Sequence, residues 1–449
     1  MKRNNKLLLI TAFLFQAIGS QAQEVRHLSL SEAIDLSLKA SKQLKVTGAK
    51  LIQAKAAYTE AKERKLPDVS ISGSYLRLAQ PDLTLKLKLN NSSGSTSTEQ
   101  SAPPSVSQAA YGIANVSLPL FAGFKIQSGI ESAKYLAEAA KLDADKDRED
   151  VIVNTIGAYS NLYKATAAVS LVNENLRQSI ERVRELSNLE KNGLLARNDF
   201  LKSQLQQSNV ELSLLDAENN LHITNENMNL MLGLAESTIL VPDTSFDLIP
   251  SDRSVMEWEH LALQNRKDAA ALANRAKAAE AGIRYAKSDY YPSLAVTGGY
   301  IGAYIENVVT IKDAVNAGVG FKYAPSSLWK TNTKVVEAKA RLSELQANEA
   351  VLEDAIRLQT AQAYENYLLN QKKIDVYGVA VDQSAENYRI VHNKYQNNLA
   401  TTTDLLDADV AQLQARLNYA FAKADAAVSY KKLLQISGLL SADASATLK

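Results

Sequence analysis

The sequence predicts a mixed α and β membrane protein, built as two structural repeats that each supply long coiled-coil helices and one β-hairpin. Three observations predict it: the chain is written twice, its helical stretches are too long for a globule, and short alternating segments interrupt them at matching places.

The duplication is read from fixed offsets. Lys62 to Tyr75 aligns without a gap on Lys287 to Tyr300, an offset of 225, with Pro67 on Pro292 and Gly73 on Gly298. Three later landmarks share an offset of 205: Ala158-Tyr159 with Ala363-Tyr364, Asp199 with Asp404, and Gly233-Leu234 with Gly438-Leu439. The change of offset places a 20-residue insertion in the first copy, where Asn91 to Thr98 and Pro103-Pro104 read as a surface loop. Leu83, Leu85, Leu87 and Leu89 alternate there with Thr84, Lys86 and Lys88, a pattern that also suits an extension of the hairpin.

Order along the chain follows. Lys2, Arg3 and Lys6, the apolar run Leu7 to Phe15, and small residues ending at Ala22 read as a secretory signal over 1–22; Ala17 and Gly19 are weaker cleavage points. The first repeat is expected over 23–240 with a hairpin at about 68–120. A linker follows at 241–251, then the second repeat over 252–440 with a hairpin at about 293–325, and a tail at 441–449. Beyond the signal no run of about 18 apolar residues exists, so no membrane-spanning helix is expected.

Helices come next. From Phe124 to about Leu189 there is no proline, and the second copy repeats this from Trp329 to about Gln396. At 1.5 Å per residue each is a rod of roughly 100 Å, which needs cover along its whole apolar stripe. Leu201, Leu205, Leu212 and Leu215 lie at i, i+4, i+11 and i+14, and their repeat partners Leu406, Val410, Leu417 and Ala420 keep that spacing, with Leu413 at the seam position that Ser208 holds in the first copy, the pattern of a knobs-into-holes seam. Alanines such as Ala54, Ala57 and Ala61, or Ala269, Ala273 and Ala276, allow close packing on other faces.

The strands alternate. Val315, Ala317, Val319, Phe321 and Tyr323 share one face and Asn316, Gly318, Gly320 and Lys322 the other; Leu294, Val296, Gly298, Tyr300 and Tyr304, and Val69, Ile71 and Tyr75, behave alike. Strands of this length with one apolar face suit an outer-membrane barrel, and Tyr75, Tyr111, Phe121, Phe124, Tyr300, Tyr304, Tyr323 and Trp329 suit its aromatic girdles. Four strands leave two open edges, which lipid does not tolerate, so other copies must complete the barrel. A dimer gives eight strands and a trimer twelve; spacing alone does not choose.

Composition excludes other classes. A net charge of +1 and no basic stripe argue against nucleic acid; without cysteine there is no disulfide, thiol chemistry or lipidated cysteine. His27, His222, His260 and His392 lack metal spacing, and the acidic run Asp143 to Asp150 has no turn glycine and lies within a helix. No phosphate-cradling loop or nucleophile elbow is present, so neither an enzyme nor a cofactor or metal is expected.

Two helix-to-helix turns complete the pattern: Asn192-Gly193-Leu194-Leu195-Ala196-Arg197-Asn198-Asp199 and Tyr395-Gln396-Asn397-Asn398-Leu399-Ala400-Thr401-Thr402-Thr403-Asp404. Gly193 and Asn398 suit left-handed helix ends, and Asn198 and Thr403 suit N-caps. With these turns and the duplicated helix-hairpin-helix plan, the chain resembles the TolC family of outer-membrane channel proteins over essentially its whole mature length. The resemblance implies a homotrimer, with a 12-stranded barrel in outer-membrane lipid continued by a 12-helix α-barrel across the periplasm. It implies a passive exit duct of a tripartite efflux or type I secretion system, working with a periplasmic adaptor and an inner-membrane pump and gated at its periplasmic tip.

The same resemblance assigns site residues. Asp404 and Asp407 match the aspartate rings of the pore constriction, and Asp199 and Tyr395 match two members of the gate network. The arginine of that network is Ala400 here, so Asn198 or Arg197 is expected in its place. Gly193, Leu194, Leu195, Ala196, Asn398, Leu399, Ala400 and Thr401 would face the adaptor, although the apolar ones could instead pack the turns together. The rival from another class is a trimeric surface scaffold or adhesin with a helical stalk, which predicts no pore.

Overall fold

The computed structural model describes residues 25–79, 106–243 and 252–440. The expected signal, the inserted loop, most of the expected linker and the tail lie outside the described residues. In chain order the elements are β1 (Val25–Leu28), α1 (Leu30–Ala40), α2 (Lys42–Glu63), β2 (Asp68–Arg77), β3 (Gln108–Ala122), α3 (Lys125–Lys191), α4 (Arg197–Leu232), β4 (Ile239–Pro242), α5 (Val255–Asn265), α6 (Lys267–Lys287), β5 (Ser293–Ile305), β6 (Val309–Lys322), α7 (Ser327–Gln396) and α8 (Thr402–Ile436). They form two compact units, one of residues 50–140 and 271–349 and one of the remainder.

The first of these units carries a four-stranded antiparallel sheet in the order β2-β3-β5-β6. Residues directly opposite one another share a face. One face therefore stacks Ile71, Ala114, Tyr300 and Val315 in a row, with Leu118, Val296 and Val319 in another and Phe121, Leu294 and Phe321 in a third. The other face carries Ser70, Asn115, Gly299 and Asn316 in one row. Ile71, Val315, Val319 and Phe321 are mostly exposed. Pro119 is tolerated in the central strand β3 because the register breaks beside it, between Pro119 and Phe121.

Two aromatics depart from the girdle expectation. Tyr111 lies opposite Ser74 and Ala303, on the face away from Ala110, Ala114 and Tyr300, because strand alternation puts neighbours on opposite sides. Tyr300 sits in mid-strand, and its hydroxyl bonds the carboxylate of Asp313 at 2.8 Å, beside a register shift where Asp313 itself is left-handed (φ 56°).

Strand β3 passes to α3 through a left-handed pair, Gly123 (φ 59°) and Phe124 (φ 64°). A Cβ on Gly123 would lie 2.5 Å from the Ser288 carbonyl oxygen, so no other residue fits without a shift. Phe124 meets Phe121 and Tyr291 edge to face. Beside it Asp289 accepts from Lys125 and Lys334, each at 2.8 Å, which holds its carboxyl below the usual range.

The second unit shows the duplication in its packing. Ala158, Leu162 and Met228 are buried in one core, and Ala363, Tyr367 and Leu433, each 205 residues on, in another. Ala33 and Trp258, at the offset of 225, fill equivalent places, each behind an N-cap serine, Ser29 or Ser254, whose hydroxyl accepts from the amide of Glu32 or Glu257. The short strands β1 and β4 pair in parallel, so the described residues hold six strands rather than four. Four-residue strands give no alternation to read, and β4 takes in the first two residues expected of the linker. Tyr159 locks this pair: its buried hydroxyl donates to the Leu28 carbonyl and accepts from the Asp243 amide, both at 2.8 Å, and burial pushes the phenol up to about 12.

The seams behave unequally. Leu406 is buried, but Leu201, Leu205, Leu212, Leu215 and Val410 stay exposed in the single chain. In the first turns of α8 the buried positions are Thr402, Leu405, Leu406, Ala408 and Asp409, which turns Val410 outward from the expected seam.

Candidate functional site

The two turns between α3 and α4 and between α7 and α8 are built alike. Gly193 (φ 75°) and Asn398 (φ 59°) take the left-handed conformation. The next amide, of Leu194 or Leu399, donates to the carbonyl five residues back, Leu189 or Lys394, at 2.9 and 2.8 Å. This is the Schellman closure of a helix end. It leaves the side chains of Leu194 and Leu399 outward, 74% and 76% exposed in the single chain. Leu195 and Ala400 are half-buried, and Ala196 and Thr401 are exposed.

The caps fall two residues earlier than expected. Thr401 is the N-cap of α8: its hydroxyl accepts from the Asp404 amide at 3.1 Å, while its own amide and hydroxyl donate to the Asp404 carboxylate at 2.8 and 2.7 Å. Those bonds hold the Asp404 carboxyl below the usual range. In α4 the N-cap is Ala196, which has no side-chain oxygen to offer. Asn198 and Thr403 lie inside the first turns, because the extended backbone that a cap requires is found at Ala196 (ψ 144°) and Thr401 (ψ 162°).

Asp404 and Asp407 lie three residues apart on the exposed side of α8, one turn above the other. Asp199 and Tyr395 line one groove of about 950 Å³, together with Leu194, Leu195, Asn398 and Thr401. The bonds of Asp199 among the described residues run elsewhere: to Lys202 Nζ at 3.4 Å and, at 3.5 Å, to the Asn198 amide nitrogen. Lys202 also donates to Thr403 Oγ1 at 3.3 Å, and so ties α4 to the first turn of α8. Arg197 turns back to Glu190 at 3.1 Å and stacks over Phe200.

A second cluster, missed in the sequence, stands at the other end of the groove. Arg182 on α3 donates to Asp409 Oδ2 on α8 at 2.9 Å and to the Tyr388 hydroxyl on α7 at 3.2 Å; Asn175 adds a bond to the same carboxylate oxygen at 3.2 Å. Asp409 is 1% exposed. Burial opposes the charge on Arg182, but Asp409 and Tyr388 outweigh it and hold the guanidinium's pKa above its usual value. The available signal was Asp409 itself, a carboxylate four and three residues after the inward Leu405 and Leu406.

A sheet with one largely apolar face and one face of mostly small and polar residues, joined in sequence to long helices with exposed leucines, suits a membrane channel. Sequence comparison gives the family. The chain belongs to the outer membrane efflux protein family, whose sequence profile matches residues 33–234 and 258–439. Its place is the outer membrane, extending into the periplasm, and the family is one of channels rather than enzymes. No curated protein matches the sequence. Among solved structures, the fold is similar to the Campylobacter jejuni CmeC outer membrane channel, with a TM-score of 0.79 and 18% identity over 93% of this chain and 88% of that one. The outer membrane protein VceC of Vibrio cholerae gives 0.75 and 18% over 91% and 96%. The open state of the Neisseria gonorrhoeae MtrE channel gives 0.70 and 17% over 92% and 89%.

Proposed function

We propose that three copies of this chain form the passive exit duct of a tripartite efflux or type I secretion system, fed by an inner-membrane pump through a periplasmic adaptor and gated at the α3–α4 and α7–α8 turns. The observation that carries the reading is the sheet, open at β2 and β6, with a largely apolar face suited to lipid and a face that, apart from Tyr111, Ile113 and Ile301, is mostly small or polar and suits a water-filled lumen. Its strands of 10 to 15 residues are long enough to span the outer membrane. Three copies of four strands give a 12-stranded barrel, and three copies of α3, α4, α7 and α8 give the 12-helix tunnel. The two separate matches of the family profile support two repeats, 23–240 and 252–440, joined through 241–251.

At the tip, three copies each of Asp404 and Asp407 would focus a negative potential and favour cations. Asp199, Asn198 and Tyr395 belong to the gate, and Gly193 to Ala196 with Asn398 to Thr401 form the adaptor face. The chain supplies no energy of its own in this reading; the pump does. The test is the mass of the protein extracted from outer membranes: a trimer is expected, and a monomer or dimer would overturn the assembly.

A further inference from the structure

A cleft of about 590 Å³ opens among α3, α6, α7 and α8. Lys146, Arg266, Lys267 and Lys432 line it, and the amides of Gln359, Gln362, Asn366 and Gln435 stand between them. We infer that this cleft is a binding site for a small hydroxylated carboxylate, a function separate from the duct.

Pairing inside the cleft is uneven. Lys146 donates to Asp150 Oδ2 at 2.6 Å, and Arg266 grips Asp268 through Nε at 3.0 Å and Nη2 at 2.6 Å while reaching Gln359 on α7 at 2.7 Å. Gln435 Nε2 takes the other Asp150 oxygen at 2.6 Å, so both carboxylates have each oxygen engaged. Lys432 is left to a neutral group, donating to Gln435 Oε1 at 2.7 Å. An ammonium has three N–H donors, so Lys432 keeps capacity for an anion. Desolvation holds its pKa below the usual value, and Lys146 and Arg266 press the same way, against Asp150. Three cations close enough to repel one another, with their carboxylates already committed, favour a negative guest.

Charge and lining give the class of guest. Four cations stand against Glu149, Asp150 and Asp268, an excess of one that matches a monoanion better than a dianionic phosphate. The four amides offer donors and acceptors to hydroxyl groups, and the volume suits a small molecule. Helix α6 begins at Lys267, directly after the extended Arg266, and its N-terminal end adds to the positive potential.

The duplication separates these charges from the shared scaffold. Ser41 stands at the counterpart of Arg266, at offset 225, and Val351 and Asn227 at those of Lys146 and Lys432, at offset 205. Met228 and Leu433, beside the last pair and at the same offset, are both buried core. The repeat keeps its core without the cations.

An anion held by residues of four helices stabilises the folded protein as it saturates. The probe is sodium gluconate, with sorbitol as the uncharged polyol, added at constant ionic strength to the full chain extracted from outer membranes. The thermal midpoint should rise and saturate with gluconate, whereas sorbitol gives only the non-saturating rise of an excluded polyol. Lys432→Gln should raise the half-saturating concentration about tenfold, the size of one lost charge-assisted bond, and Lys432→Arg should restore it. Lys146→Gln, on another helix, should weaken binding in the same direction and decides the matter if Lys432→Gln does not fold. No saturable rise in the wild type, an equal rise with sorbitol, or a half-saturation untouched by both neutral substitutions overturns the site.

Discussion

Leu194 and Leu399 occupy the same place in two successive turns, each directly after a left-handed residue and each about three-quarters exposed. In the proposed duct, these two apolar side chains, held outward by backbone closure 205 residues apart, serve to dock the adaptor. Leu194→Ser with Leu399→Ser should leave the thermal midpoint and the conductance unchanged, yet abolish dye efflux when it replaces the wild type in its host. Full efflux in that strain would remove these leucines from the adaptor face.

The unequal caps predict opposite outcomes. Thr401→Ala deletes the hydroxyl that satisfies the Asp404 amide and should cost about 1 kcal/mol. Ala196→Ser supplies the oxygen that α4 lacks and should gain a similar amount, about 1 kcal/mol. Thermal unfolding of the two variants side by side checks both signs.

Protonation of Asp404 has a defined direction. Its folded pKa is depressed by the Thr401 bonds, so the cap's contribution is fully present above the unfolded value of about 4 and is lost as pH falls through the lower folded value. The charge at the constriction should therefore outlast that of an ordinary carboxylate. Reversal potentials measured from pH 7 down to pH 3.5 should keep their cation preference below pH 4, and Thr401→Ala should lose that preference at higher pH than the wild type.

The proposed trimer gives the exposed seam a partner. Leu205 and Leu212, 64% and 60% exposed in one chain, are expected to be covered in the trimer. Leu205→Arg with Leu212→Arg would place charges against apolar neighbours and should yield monomers on native electrophoresis. Intact trimers would mean that this seam faces water or another partner.

Much of this was legible in the sequence because periodicity reports burial. The long helices, the hairpins and the left-handed Gly193 and Asn398 all follow from spacing and backbone chemistry. What escaped has physical reasons as well. β1 and β4 are too short to alternate, and Thr401 outcompeted Thr403 as cap because only Thr401 has extended backbone. The seam of α8 was displaced by one residue at Asp409, since a hydrophobic pattern cannot anticipate that a carboxylate will go inside to meet Arg182 on a helix more than 200 residues earlier. Long-range polar pairing leaves no local periodic trace.

The central claim, a gated aqueous duct with an acidic constriction, is tested most directly by single-channel recording in planar bilayers, comparing the wild type with Asp404→Ala/Asp407→Ala. A small, cation-selective conductance in the wild type that loses its selectivity in the double variant is the predicted result. Correctly inserted trimers that pass no current in either form, or a selectivity indifferent to both aspartates, would contradict it.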